Sequence, residues 1–213
     1  MNRKQFLTLA GVVAAAAAVP WAAGQAQGQS GEARFRSLKA PAPTDAEAGK
    51  IEVVYFFWFG CPHCYALEPV INPWAKKLPP DVVFRRQHVP FREVKHQQLY
   101  FTLQALGQDN EKVMSGVFAA IHQRRLRMLE PQEMVEVLTP LGVEAKAFNE
   151  AFTSFGVRTR QTRANKLADA YDLDGVPAIG VNGKYLTAPS MAGSNEAVLR
   201  VVDELVARER KGA

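Results

Sequence analysis

Cys61, Pro62, His63 and Cys64 have the residue types and the spacing to do chemistry, and they include both cysteines of this 213-residue chain. Two thiols separated by two residues can pass between a dithiol and a disulfide and so exchange electrons with other thiols. The run before them, IEVVYFFWFG over 51–60, is rich in β-branched and aromatic residues and reads as a buried strand that stops at Gly60. That places Cys61 where a helix begins. Unpaired N–H groups and the positive end of the helix dipole stabilise negative charge there, and the thiolate is the reactive form of cysteine. Cys61 is expected to face outward, with Cys64 about one turn behind it. Pro62 suits the first helical position, because its fixed φ matches the helix and its missing N–H is no loss. His63 adds a positive charge beside the sulfur when protonated and can still donate a hydrogen bond from one ring nitrogen when neutral. Each unit of pKa depression in the reduced form makes the disulfide less stable by about 1.4 kcal/mol. An oxidising disulfide is the expectation.

Two plainer readings compete. A structural zinc site needs four ligands, but the remaining candidates are His63, His88, His96 and His122, with no second CxxC and no HxxxH spacing. No metal is expected. An inert structural bridge would close so small a loop that it would remove little unfolded-state entropy.

The N-terminus carries a short basic region, Met1-Asn-Arg-Lys, then an apolar, alanine-rich run from Phe6 to Val19 and small residues to Ala26. This is the anatomy of a cleaved secretory signal peptide, assigned here to residues 1–26. Export leads to a compartment where disulfides persist. Removing that segment takes away Arg3 and Lys4 and no acid, so the formal charge falls from +5 to +3. No lysine or arginine run exceeds two residues, and no nucleic-acid partner is expected. Residues 27–49 are polar, with Pro41 and Pro43, and read as an N-terminal tail.

The elements that must hold the cysteines follow in order. The helix after Cys64 is expected to kink or break near Glu68, because Pro69 and Pro73 interrupt it. Val82 to Val89 reads as a second strand, ended by Pro90. From about Glu93 to Asn165, apolar residues recur at helical spacing, among them Leu99, Leu103, Val113, Val117, Met134 and Val137. The basic patch Arg124-Arg-Leu-Arg127 in this block reads as a solvated helix end. Phe148, Phe152 and Phe155 lead into a helix reaching about Tyr171. The segment DGVPAIGVNGKYL over 174–186 reads as a β-hairpin with an Asn182-Gly183 turn. Pro177 opens its buried strand, where a proline cannot donate to the ladder and needs a special geometry such as a cis peptide. Asn195 is expected to cap a final amphipathic helix.

This order of elements resembles the thioredoxin superfamily, and more closely the DsbA family of bacterial periplasmic thiol:disulfide oxidoreductases. The resemblance spans about residues 50–210. It rests on Phe56-Phe57, Cys61-Pro-His-Cys64-Tyr65, His88-Val89, Gly175-Val176-Pro177 and Val181-Asn-Gly-Lys-Tyr185. It implies an α/β, thioredoxin-like fold with an inserted helical subdomain. Residues 50–92 and 166–213 would form the thioredoxin-like domain, with 93–165 as the insert. It also implies that Cys61 forms a mixed disulfide with reduced, unfolded exported polypeptides, and that a DsbB-like quinone-linked membrane oxidase restores the Cys61–Cys64 disulfide. No other cofactor is implied, and the chain is expected to be a periplasmic monomer. Pro177 would be a cis-proline facing the disulfide, and Val176 would bind extended substrate through its backbone. Because DsbA is itself a standing example of a depressed cysteine pKa and an oxidising potential, those two expectations are not independent of the resemblance.

One departure from the family pattern concerns the buried cysteine. Many members carry a buried glutamate six residues before the first cysteine; here Tyr55 stands there. Glu52 lies an odd number of residues away along the strand and points to the other face. Glu68 and Arg86 are the candidates for a charge pair near Cys64. A reductase or isomerase of the same fold, or a non-catalytic module that holds unfolded chains, are the alternative functions.

Overall fold

The computed structural model describes residues 33–212; the expected signal peptide and residues 27–32 of the tail lie outside them. Strand β2 (Ile51–Phe57) is the centre of the fold, and all seven of its residues are buried. It is flanked by β3 (Val82–His88) in parallel and by β4 (Ala178–Val181) antiparallel. β4 continues into β5 (Tyr185–Thr187), and the full sheet order is β1-β5-β4-β2-β3. β1 is the pair Arg36–Ser37, antiparallel to β5.

β1 corrects the expectation of a plain tail over 27–49. Leu38 N–H donates to the Lys184 carbonyl and Ala42 N–H to the Gly183 carbonyl, both at 2.8 Å, and Ala42 is buried. A two-residue edge strand has no alternation to read, so the sequence carries no signal of it.

Period-two alternation sends the two sets of β2 side chains to opposite faces. Val53, Tyr55 and Phe57 join one apolar cluster, together with Cys64, Leu67 and Ile71 of α1 (Pro62–Ala75) and Val198, Val202 and Leu205 of α8 (Asn195–Lys211). Val54 and Phe56 join Leu167 and Tyr171 on the other face.

Helix α1 runs unbroken through Pro69 and Pro73, contrary to the expected break. Each proline removes one backbone bond. Cys64, Leu67, Glu68, Ile71 and Asn72 are all buried along one side, and that packing offsets the loss. Between β3 and β4 come α2 (Val94–Ala105), α3 (Glu111–His122), α4 (Pro131–Leu138), α5 (Ala145–Phe152) and α6 (Phe155–Ala170). The boundary expected at 165/166 falls inside α6, one continuous helix, so the helical block runs on to Ala170. Phe148 and Phe152 are buried, whereas Phe155 is 76% exposed. Arg124, Arg125 and Arg127 lie in the exposed connection after α3 and not in a helix.

The hairpin turn has Asn182 at φ 51° and Gly183 at φ 65°, the two positive values a type I′ turn requires. A short helix α7 (Pro189–Ala192) precedes α8. The cap of α8 is Ser194, whose hydroxyl accepts from Ala197 N–H, and not Asn195. Asn195 is the first helical residue and donates instead to the Ala66 carbonyl on α1.

Candidate functional site

β2 delivers the chain to Trp58-Phe59-Gly60, and Cys61 is the N-cap of α1, with extended backbone angles of φ −86° and ψ 117°. Gly60 is required by close approach, since a Cβ there would lie 2.3 Å from the Trp58 ring. Cys61 Sγ accepts from the Cys64 N–H at 3.4 Å, a capping bond made by sulfur where serine or aspartate usually serves. Pro62 follows at the start of the helix. Cys61 and Cys64 are free thiols in this structure.

Cys61 was expected to face outward, but it is only 6% exposed, and Cys64 is fully buried. Cys61 is covered because its Sγ lies against the loop before β4, donating to the Val176 carbonyl at 3.4 Å. The Val176–Pro177 peptide is cis. A cavity of about 530 Å³ opens beside the sulfur, lined by His63, Val176, Pro177, Leu186, Met191 and Asn195. The structure thus brings together Cys61, His63, Val176 and Pro177, from segments more than a hundred residues apart.

The two sulfurs are unlike in acidity. The hydrogen bond from the Cys64 thiol, then the backbone N–H groups of Cys64 and His63 and the charge of His63, lower the Cys61 pKa to about 6 against the opposing effect of burial. Burial, followed by the adjacent Cys61 sulfur, pushes the Cys64 pKa far up. Of the reduced pair, Cys61 is therefore the sulfur that gives up its proton first and Cys64 the one that keeps it.

Behind Cys64, Arg86 Nη2 lies 3.4 Å from Glu68 Oε2, and it also donates to Asn72 Oδ1. Glu68 is one turn beyond Cys64 on the same buried side of α1. Burial raises its pKa, with Arg86 opposing. Among the described residues, Glu68 Oε1 and Arg86 Nε have no hydrogen-bond partner. Tyr55 is fully buried, stacks on Phe57 at 5.5 Å, and sends its hydroxyl toward the Cys64 carbonyl at 3.5 Å. Glu52 is on the opposite face of the sheet, bonded to Arg85 at 2.7 and 3.2 Å.

Two histidines outside the expected site hold its loop. His88, at the end of β3, accepts the Phe59 N–H at Nε2. Its proton is therefore on Nδ1, which has no partner among the described residues. The rings of Phe57, Phe59 and Tyr100 surround it. His122, at the end of α3, donates from Nε2 to the Phe59 carbonyl at 2.8 Å and lies parallel to Tyr65 at 4.9 Å. Neither has a spacing rule that marks it, although His88-Val89 is one of the segments on which the family resemblance rests. A lone histidine ending a strand or helix reads as an ordinary core or cap residue, and only the folded chain brings both to Phe59.

Comparison with known proteins covers the whole of this arrangement. Residues 94–199 match the family described as DSBA-like thioredoxin domain. The thiol:disulfide interchange protein DsbA of Bordetella parapertussis is 40% identical over 215 residues, spanning 99% of this chain and 100% of that protein. DsbA of Pseudomonas aeruginosa is 40% identical over 193 residues, 90% of each chain. The crystal structure of Pseudomonas aeruginosa DsbA superposes with a TM-score of 0.81 at 40% identity, covering 84% of this chain and 94% of that one. Identity of that order over most or all of the chain, on one fold, places the chain in the DsbA family of thiol:disulfide interchange proteins.

Proposed function

We propose that this protein, a DsbA-family thiol:disulfide oxidoreductase, donates its Cys61–Cys64 disulfide to reduced, unfolded exported polypeptides. A substrate thiolate attacks Cys61 Sγ; the Cys61–Cys64 bond breaks, and Cys64 leaves and takes up a proton. A second substrate thiolate then attacks the substrate sulfur of the mixed disulfide, and Cys61 leaves as a thiolate. One substrate disulfide forms, both protein sulfurs are reduced, and the second substrate proton goes to solvent. The observation that carries this reading is the placement of the two sulfurs: Cys61 caps α1 with its Sγ accepting the Cys64 N–H, and Cys64 is fully buried behind it, so the helix start stabilises the Cys61 thiolate and makes it a good leaving group.

The roles of neighbouring groups follow from their places. Cys61 as a thiol donates to the Val176 carbonyl; without its proton it releases that carbonyl to accept from an extended substrate. His63 and the apolar cavity beside Pro177 face the same approach. Glu68, Arg86 and Tyr55 act on the buried side, around the sulfur that must gain and lose a proton. No cofactor beyond the disulfide is needed for the exchange. Restoring it requires an oxidant, assigned here to a DsbB-like quinone-linked membrane protein, with the mature protein working as a periplasmic monomer after removal of residues 1–26. No helix among the described residues is long and apolar enough to cross a membrane.

The redox equilibrium of the mature protein against glutathione, read by thiol trapping, tests the proposal. A disulfide readily reduced by glutathione supports an oxidase. One that resists reduction under the same conditions sinks it in favour of a reductase.

A further inference from the structure

A second cavity, of about 430 Å³, lies between the segment before β2, strand β3 and helices α2 and α6. It is separate from the redox centre. Arg85 and Gln87 in its wall are in register with Val54 and Phe56, the face of the sheet turned away from Cys64. Its volume is in the range that holds small-molecule ligands.

Charge and polarity in this cavity are unbalanced in one direction. Arg85, Arg160, Arg163 and Lys166 line it against a single carboxylate, Asp45. Asp45 is shared by Arg163 at 3.2 Å and Arg85 at 3.7 Å, while Arg85 is also bound to the buried Glu52. Arg160 has only a neutral partner, the Gln104 carbonyl oxygen at 3.0 Å. Lys166 makes no ion pair among the described residues. Gln87 is 6% exposed, and its Oε1 accepts from Arg85. Its Nε2 is a buried donor with no acceptor among the described residues, and such groups are uncommon in folded proteins. Phe101 and Leu167 supply apolar wall beside these donors.

We propose that this cavity binds a small organic anion, with a carboxylate or sulfonate head among Arg160, Arg163 and Lys166 and a ring-sized apolar body against Phe101 and Leu167. The surplus of cations selects an anion over a neutral molecule. The apolar wall selects an organic anion over inorganic phosphate or sulfate. The site is distinct from the redox centre, since it shares no lining residue with the groove beside Pro177 and contains neither cysteine.

The test is a titration of the oxidised, mature protein with naphthoate, followed by amide chemical shifts, with naphthylmethanol as the neutral counterpart. Saturable shifts at Phe101, Ala164 and Leu167 are expected, with the alcohol binding about tenfold more weakly, and weaker naphthoate binding at raised salt. The double variant Arg160→Gln/Lys166→Gln should also bind naphthoate about tenfold more weakly and keep its oxidase activity. Equal binding of acid and alcohol, indifference to the double variant, absence of saturation, or shifts confined to Val176 and Met191 would each overturn the assignment. The acid–alcohol comparison uses the unaltered protein, so it decides even where the variant folds poorly.

Discussion

Phe59 donates its amide proton to Nε2 of His88 at 3.2 Å. The same residue's carbonyl receives His122 Nε2 at 2.8 Å, so the peptide groups on either side of Phe59 are held from β3 and from α3 at once. Replacing His88 by leucine leaves the Phe59 N–H buried without an acceptor, which costs about 2 kcal/mol. Chemical denaturation of His88→Leu should show that loss. His122→Leu leaves the carbonyl of the fully buried Phe59 without a donor and should cost a similar amount.

The acidity of Cys61 is open to direct measurement. Its alkylation rate should rise with pH around a midpoint near 6, and Cys61→Ser should abolish the reactivity. Cys64→Ala should raise the midpoint more than His63→Ala does, because the Cys64 thiol's hydrogen bond is the largest cause of the lowering and the His63 charge a small one. The folded thiolate's contribution to the stability of the reduced form is full above the ordinary value of 9.0 and is lost as pH falls through about 6. That contribution is at most about 1.4 kcal/mol per pKa unit.

Stability of the oxidised form, in which neither cysteine titrates, should depend on pH through buried histidines. Burial, and after it His96, holds His88 well below the usual imidazole value of 6.5, and burial also lowers His96. Below about 6.5 the unfolded chain binds more protons than the folded one, so stability is full above that pH and declines as pH falls, by up to about 1.4 kcal/mol per pH unit for each histidine. Glu68 has the opposite sign: its raised pKa adds stability in acid that is lost as pH rises through the folded value. Urea midpoints should therefore fall between about pH 7 and pH 5, with a shallower slope in His88→Phe. An unchanged slope in that variant would remove His88 from the account.

Arg86→Met would leave Glu68 buried without its cation. The expected loss is about 3 kcal/mol where Glu68 is ionised and less in acid, where it is protonated. Comparing unfolding on the two sides of neutrality separates lost charge pairing from lost packing. Glu68→Gln removes a buried anion near Cys64 and should lower the pH at which Cys64 titrates. No change there would reduce the Glu68–Arg86 pair to a structural role.

Tyr55→Phe should cost less than about 1 kcal/mol, because its hydroxyl meets the Cys64 carbonyl only at 3.5 Å, the outer limit of a hydrogen bond. The redox equilibrium of this variant should match the parent. A shift would show that the hydroxyl acts on the buried sulfur and does not merely fill space.

Strong periodicity and turn chemistry made much of the fold legible. The β2 run, the Asn182-Gly183 turn and the helical spacing from Leu99 to Val137 each led to the elements found. Three of the misses share a cause, since in each a distant partner outweighed the local rule. Pro69 and Pro73 remain helical because α1 is packed along its length. Arg36 and Ser37 become a strand only because β5 offers an edge. Ser194 and not Asn195 caps α8, while Asn195 reaches across to α1. At the site, Cys61 and Cys64 stand out by type and spacing. The contact of His88 and His122 with Phe59 joins residues 29 and 63 positions apart, which no local pattern encodes.

The two rims of the sheet bear on the company this protein would keep. A protein that handles unfolded chains continually meets segments ready to add themselves as strands, and an open sheet edge would template their aggregation. One rim here is only the two residues of β1. The other is β3, with Arg85 and Arg86 at its middle and prolines on both flanks, Pro79-Pro80 and Pro90. Both rims resist the addition of a further strand, so the sheet itself offers no template for aggregation.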